Sequence, residues 1–203
     1  MKRTGRRAFT LIELLVVVAI MAAAAAFSIP AALSMLRSSR LGTTGQAVAD
    51  QLAAARQAAL SRNHSVEVRF YQLPDFGGAA TAAPAVYRAV QSFLDEDDGT
   101  ATPLGRALFF PQPVVLSGSA ASTLLGLAAQ AADSLHPLPL YGGNYRYVSF
   151  RFRLDGSTDV LTAASNCVTL VAETDKAGPS GLPSNFVTVQ IDPVIGTVRS
   201  YRP

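Results

Sequence analysis

The chain has 203 residues, a formal net charge of +3 at pH 7 and a single cysteine, Cys167. One cysteine excludes an intramolecular disulfide and a cysteine-based zinc site. Four of the seventeen basic residues lie in the first seven positions (Lys2, Arg3, Arg6, Arg7), which leaves 13 basic against 14 acidic residues in the body of the chain. That balance argues against general nucleic-acid binding.

A long apolar run follows the basic start. Leu14 to Leu36 are 23 consecutive uncharged residues, about 34 Å as a helix, which is enough to cross a hydrocarbon core of about 30 Å. A secretory signal peptide has a shorter apolar stretch that ends in a cleavage site. A membrane anchor with its basic end in the cytoplasm fits better. Neither interpretation explains Glu13, because an acid in such a run costs about 2.5–3.5 kcal/mol on insertion scales.

The string RRAFTLIELLVVVAI resembles the class III signal at the N-terminus of type IV prepilins and pseudopilins, with Phe9 to Glu13 in register. The resemblance implies that prepilin peptidase cuts between Ala8 and Phe9 and methylates the new amine. It also implies that Glu13 pairs with the terminal amine of a neighbouring subunit, which would give the carboxylate a cation in a medium of low dielectric. The family normally has Gly before the cut, and Ala8 departs from that pattern.

Pro30 stands where many pilins carry a helix-kinking proline. It removes one helix hydrogen bond and crowds the carbonyl of Ala26, so we predict a kink there. The domain boundaries that we predict are a cytoplasmic leader over 1–8, a transmembrane and assembly helix over 9–36, an amphipathic helical segment over 37–62, and a β-rich globular domain over 63–203.

Two glycines in LGTTG predict a hinge at 41–45, with Thr43 or Thr44 capping a new helix start. Beyond the hinge, apolar residues recur at helical spacing and predict an amphipathic helix that faces the core of the domain (Val48, Leu52, Ala55, Ala59). Asn63 is expected to end this helix.

The pattern then changes to period two. Residues 65–71 and 147–154 predict half-buried antiparallel strands, the second with Val148, Phe150, Phe152 and Leu154 on its apolar face. Further strands are predicted over 85–93, 107–116 and 166–173, and a closing hairpin turns at Asp192 to Gly196. The fold class is α+β: a long hydrophobic helix continues into an amphipathic helix packed on an antiparallel sheet.

The domain also resembles the GspH/FimT-type minor pseudopilins. The matching stretches are ADQLAAARQAALSRNHSVEVRFY, FRFRLDGSTD and IDPVIGTVRSYRP. Longer insertions at 72–84 and 117–146 resemble the pseudopilin-like Verru_Chthon cassette protein D group.

No catalytic pattern occurs, and we expect no enzyme activity and no cofactor. Asp95, Asp97 and Asp98 are weak candidates for a calcium site, because their spacing fails the EF-hand loop and a solvated turn is favoured. Some GspH/FimT-type proteins resemble DNA-uptake components with a basic C-terminal motif. Here only Arg199 and Arg202 remain of it, too few for appreciable phosphate binding, so DNA is not the expected partner.

The sequence therefore predicts a non-enzymatic minor pseudopilin-like subunit of a type II secretion or type IV pilus-like machine. Its expected partners are prepilin peptidase, other pseudopilin subunits and the inner membrane, which it crosses once with its domain in the periplasm. The alternatives are a DNA-uptake minor pilin that uses the C-terminal arginines, and a membrane-anchored periplasmic binding module.

Overall fold

The structure, a computed structural model, describes residues 9–75, 82, 85–96, 99–118, 120–160, 166–178 and 181–203, without the side chains of 27–32. The chain divides into two compact units, Met1–Ser38 and Ser39–Pro203. Helix α1 spans Leu11–Arg62 and contributes residues to both units. The second unit adds antiparallel strands to this helix, so the predicted α+β class is confirmed.

The C-terminal part of α1 faces the core of the second unit. Val48, Leu52, Ala55 and Ala59 are all buried, which confirms the predicted apolar face. The helix ends at Arg62, and the next residue, Asn63, has a φ of 55°. Asparagine tolerates this left-handed conformation, so Asn63 ends the helix as predicted.

The hinge predicted at 41–45 is wrong, because α1 continues through these residues. The two threonines do not cap a new helix. Thr43 Oγ1 donates to the carbonyls of Ser39 and Arg40, and Thr44 Oγ1 donates to the Arg40 carbonyl at 2.7 Å. The hydroxyls therefore bond within the preceding turn, as serine and threonine do inside helices.

The strands form two antiparallel sheets. In the first sheet the order is β3-β2-β1-β7-β6, and β4 also pairs with β2; in the second it is β10-β9-β8-β5. The strand bounds are β1 Val66–Leu73, β2 Val86–Asp95, β3 Ala101–Pro103, β4 Leu108–Phe109, β5 Val114–Leu116, β6 Gln130–Ala131, β7 Arg146–Phe152, β8 Asn166–Ala172, β9 Phe186–Ile191 and β10 Val198–Tyr201; a short 3₁₀ helix spans Thr123–Gly126. The main core joins α1 to residues of both sheets.

Strand β1 is buried on both faces, so the prediction of a half-buried strand is wrong. Val66, Val68 and Phe70 lie in the main core, as expected. On the opposite face, Tyr71 belongs to a second apolar cluster that includes Leu138 of the segment 117–146. That segment covers the outer face of the first sheet, which the sequence pattern left exposed to solvent.

Two other strand predictions need correction. The predicted strand over 107–116 is two strands in different sheets, since β4 pairs with β2 and β5 pairs with β8. Strand β7 ends at Phe152, and Leu154 lies in the following turn with 48% of its surface exposed. The closing hairpin is confirmed: the N–H of Gly196 donates to the Asp192 carbonyl at 2.8 Å, between β9 and β10.

Candidate functional site

The N-terminal segment starts with a capping box. Phe9 and Thr10 precede the helix, and Leu11 is its first residue. Thr10 donates its backbone N–H and its hydroxyl to Glu13 Oε2, at 3.0 and 2.9 Å, and the N–H of Glu13 lies 3.3 Å from Thr10 Oγ1. This reciprocal pair satisfies two of the backbone donors that a helix start leaves without partners. Glu13 therefore has a local role that the sequence analysis missed, although the Thr-x-x-Glu spacing is the known signal for it.

Glu13 uses one carboxylate oxygen for this box. Within the described residues no hydrogen bond or ion pair reaches Oε1. The carboxylate stands among large exposed apolar side chains, with Phe9 78%, Ile12 70% and Val16 49% exposed. The first unit thus presents an acid with one accepting oxygen in an otherwise apolar surface.

The predicted C-terminal arginines, Arg199 and Arg202, lie on and after β10 of the second sheet, whereas Arg151 lies on β7 of the first sheet. Arg199 is on β10, and Arg202 Nη2 donates to Asn185 Oδ1 at 3.1 Å. Arg151 instead pairs with Asp95 across the first sheet at 2.9 Å, and Arg153 is exposed next to the turn that follows β7. Arg151 is thus held by a carboxylate.

The acidic stretch after β2 is described in part. Asp97 and Asp98 lie outside the described residues. Asp95 Oδ2 accepts hydrogen bonds from Ser65 Oγ at 2.8 Å and from Arg151 Nε at 2.9 Å. Among the residues that the structure describes, no group of three or more His, Cys, Asp or Glu side chains could hold a metal ion. The preference for a solvated turn over a calcium site at Asp95, Asp97 and Asp98 therefore stays a prediction.

The comparison with protein families bears on the capping-box segment. Residues 3–29 match the family model described as a prokaryotic N-terminal methylation motif. No curated protein matches the chain significantly. A solved structure of the minor pseudopilin EpsH from the type 2 secretion system of Vibrio cholerae is similar at 11% identity and a TM-score of 0.47, covering 81% of this chain and 98% of EpsH.

The first unit, Met1–Ser38, contains three of the predicted site residues besides Glu13. Phe9 is described and exposed, whereas Ala8 lies outside the described residues. Pro30 lies within α1, but its side chain is outside the described part, and the kink stays a prediction. In the described part of the chain, no helix meets the length and hydropathy criteria for a membrane span.

A buried charged cluster that the sequence analysis did not predict joins β1 to the segment 117–146. Arg69, 5% exposed, contacts Glu67 at 2.7 Å and Asp133 at 2.9 Å, and its guanidinium lies 4.2 Å from the centre of the Phe93 ring. His136 Nδ1 lies 2.8 Å from Asp133 Oδ2. Each buried charge thus has a partner, as burial requires.

The cluster also perturbs the titration of Asp133. Partial burial raises its pKa, but hydrogen bonds from His136, Arg69 and the Leu135 N–H outweigh that effect and lower the pKa to about 2. Asp133 is therefore held as a carboxylate. We assign the cluster a structural role, since its ion pair between Arg69 and Asp133 joins β1 of the first sheet to the segment 117–146.

Proposed function

We propose that the chain is a non-enzymatic, minor pseudopilin-like structural subunit of a type II secretion or type IV pilus-like machine. Prepilin peptidase cuts it between Ala8 and Phe9 and methylates the Phe9 amine. The helix then anchors the chain in the inner membrane, with the second unit in the periplasm, until the subunit joins other pseudopilin subunits.

The observation that carries this proposal is the match of residues 3–29 to the N-terminal methylation motif, with Phe9 and Glu13 in register. The geometry supports it at Glu13. Oε2 caps the chain's own helix, and Oε1 accepts no bond from the described residues; a neighbouring subunit's terminal ammonium would have the right charge to bind it. An apolar surface that carries one such acid per subunit favours side-by-side packing in which every carboxylate meets a cation.

The first experiment is intact and N-terminal peptide mass spectrometry on the protein from its native membrane. We expect a chain that begins at Phe9 with a methylated amine. A chain that still begins at Met1 would contradict the proposed processing, and Ala8 would be the first residue to replace, with Gly.

The second experiment tests assembly with two matched variants. Glu13→Gln keeps a side chain that can complete a capping box but removes the charge, whereas Thr10→Ser keeps both the charge and the hydroxyl. We expect Glu13→Gln to lose incorporation into sheared filaments or cross-linked subunit complexes, and Thr10→Ser to retain it. Normal incorporation of Glu13→Gln would remove the charge-pairing role and favour a plain anchored module.

A further inference from the structure

Strand β10 forms an open edge of the second sheet. Among the strands described it pairs only with β9, and its residues Arg199, Ser200 and Tyr201 are exposed. An open edge presents backbone donors and acceptors that another strand can satisfy. The partner that fits such an edge is therefore an extended backbone, and the side chains of β10 determine which backbone it is.

The register of the β9–β10 hairpin shows which backbone groups point outward. The N–H of Asp192 donates to the Thr197 carbonyl at 2.9 Å, so these two residues form a hydrogen-bonded pair. Hydrogen-bonded and non-hydrogen-bonded pairs alternate along an antiparallel ladder. Ser200, opposite Val189 and three positions beyond Thr197, is thus in a non-hydrogen-bonded pair. Its N–H and C=O point away from β9 to the open edge, where no bond from the described residues reaches them.

The two side chains that flank Ser200 are a cation and an aromatic ring. Arg199 and Tyr201 lie on one face of β10, because side chains alternate along a strand. Tyr201 is 48% exposed, and within the described residues no hydrogen bond or ion pair reaches the Arg199 guanidinium. A cation over the face of a tyrosine ring is attracted to it. The edge thus carries one half of such a contact on each side of Ser200.

A second copy of β10 supplies the other halves. In an antiparallel pair centred on Ser200, the outward N–H and C=O of Ser200 meet those of the partner's Ser200 and form a hydrogen-bonded pair. Arg199 then lies opposite the partner's Tyr201, and Tyr201 opposite the partner's Arg199. A pair centred on Arg199 would instead place two like charges opposite each other, which is destabilising. The charge of Arg199 therefore excludes that register and favours the one centred on Ser200.

We propose that a second copy of this chain pairs with β10 in the antiparallel register centred on Ser200, so that two four-stranded sheets join into one continuous sheet. The stretch Arg199-Ser200-Tyr201 is self-complementary in this register, since each copy supplies one cation and one ring. The inference goes beyond the proposed function, and it needs neither cleavage at Ala8 nor the membrane anchor.

The first test measures the oligomeric state of the full chain in detergent by analytical ultracentrifugation. We expect a dimer that dissociates on dilution. Ser200→Pro removes the outward N–H but no bond to β9, so it should abolish the dimer and leave the urea midpoint of the monomer unchanged. Ser200→Thr keeps the N–H and is the matched control, which should dimerise as the wild type does.

A second pair of variants tests the side-chain contacts. Arg199→Gln removes both cation–ring contacts of the dimer and should raise its dissociation constant about 5- to 30-fold. Arg106→Gln removes an exposed cation between β3 and β4 of the other sheet. It is the matched control and should leave the dissociation constant unchanged.

Cysteine cross-linking tests the register, in a background in which Cys167→Ser removes the native thiol. Ser200→Cys should form a disulfide between copies on oxidation, because the Cα atoms of a hydrogen-bonded pair are about 5.5 Å apart. Gln190→Cys lies on β9, one strand inside the edge. It should not cross-link, because three strand spacings, about 14 Å, would separate its two copies.

Four results would overturn the inference: a chain that stays monomeric, a dimer that persists in Ser200→Pro, equal effects of Arg199→Gln and Arg106→Gln, or cross-linking at Gln190→Cys in place of Ser200→Cys. The proposed function is tested separately. A monomer that begins at a methylated Phe9 overturns this inference alone, whereas a Ser200-dependent dimer that still begins at Met1 supports it and contradicts only the proposed processing.

Discussion

Two glycines three residues apart in α1 should respond to alanine with opposite signs. A Cβ on Gly45 would lie 2.5 Å from Val187 Cγ1, and Val187 is a buried, β-branched residue of β9. A Cβ on Gly42 would lie 3.0 Å from Nη1 of Arg202, the end of a long exposed side chain. The valine cannot move away without disturbing the sheet, whereas the guanidinium can.

The magnitudes follow from two competing effects. Replacing Gly by Ala in a helix interior stabilises it by about 1 kcal/mol. Overpacking a buried contact costs about 1–3 kcal/mol. Gly45→Ala should therefore lower the free energy of unfolding by up to about 2 kcal/mol, and Gly42→Ala should raise it by up to about 1 kcal/mol.

The assay is urea unfolding of the full chain in detergent, followed by circular dichroism, with the midpoint and slope compared among variants. A double variant, Gly45→Ala with Val187→Ala, should lose less stability than the sum of the two single changes, because the second change removes the crowded methyl group. Gly45→Ala at or above the wild-type stability would refute the close approach of α1 to β9. Equal losses in both single variants would refute a continuous helix through 41–45.

Three further changes test other contacts. Because the pKa of Asp133 is about 2 when folded and 3.8 ordinarily, it should contribute about 2 kcal/mol of stability that is present above pH 4 and is lost as the pH falls toward 2; Asp133→Asn should flatten this pH dependence in unfolding experiments. Asn63→Ala should cost about 1 kcal/mol, because Asn63 has a φ of 55°, while Asn63→Gly should be neutral or stabilising. Thr10→Ala should speed hydrogen exchange in the first turn of α1 relative to Thr10→Ser, whereas Glu13→Gln should not; equal exchange in all three would argue against the capping box.

The parts of the fold that the sequence predicted correctly are those that depend on interactions between residues close together in the chain. The core-facing stripe of α1, the helix end at Asn63 and the turn at Asp192 to Gly196 each depend on residues a few positions apart. The N-terminal motif is likewise one contiguous string. The positions of Phe9 and Glu13 within that motif follow directly from the sequence. The Thr-x-x-Glu spacing also predicts a capping role for Glu13, which the argument from its charge alone does not.

The predictions that were wrong, the hinge at 41–45 and the half-buried strand β1, depend on contacts with residues far away in the chain. In the sequence, Gly45 resembles a helix breaker. The structure shows that a small residue is needed there because α1 packs closely against Val187, which is more than 140 residues away in the chain. Propensity alone therefore predicted a hinge where the helix needs a small residue for close packing. Strand β1 alternated as a half-buried strand does, and nothing near Glu67 or Arg69 indicated that a distant segment would cover them.

Burial of both faces of β1 also limits how neighbouring subunits could pack in the proposed assembly. The segment 117–146 closes the outer face of the first sheet with an apolar cluster and the charged contacts of Arg69. A partner that displaced this segment would have to offer an opposite charge to both Glu67 and Arg69. If either charge were left buried without a partner, the complex would be strongly destabilised. The second sheet differs, since β10 is an edge strand whose residues Arg199 to Tyr201 are exposed. In the proposed assembly, we therefore expect a contact of the second unit to use an exposed strand such as β10 rather than the face of β1 that the segment 117–146 covers.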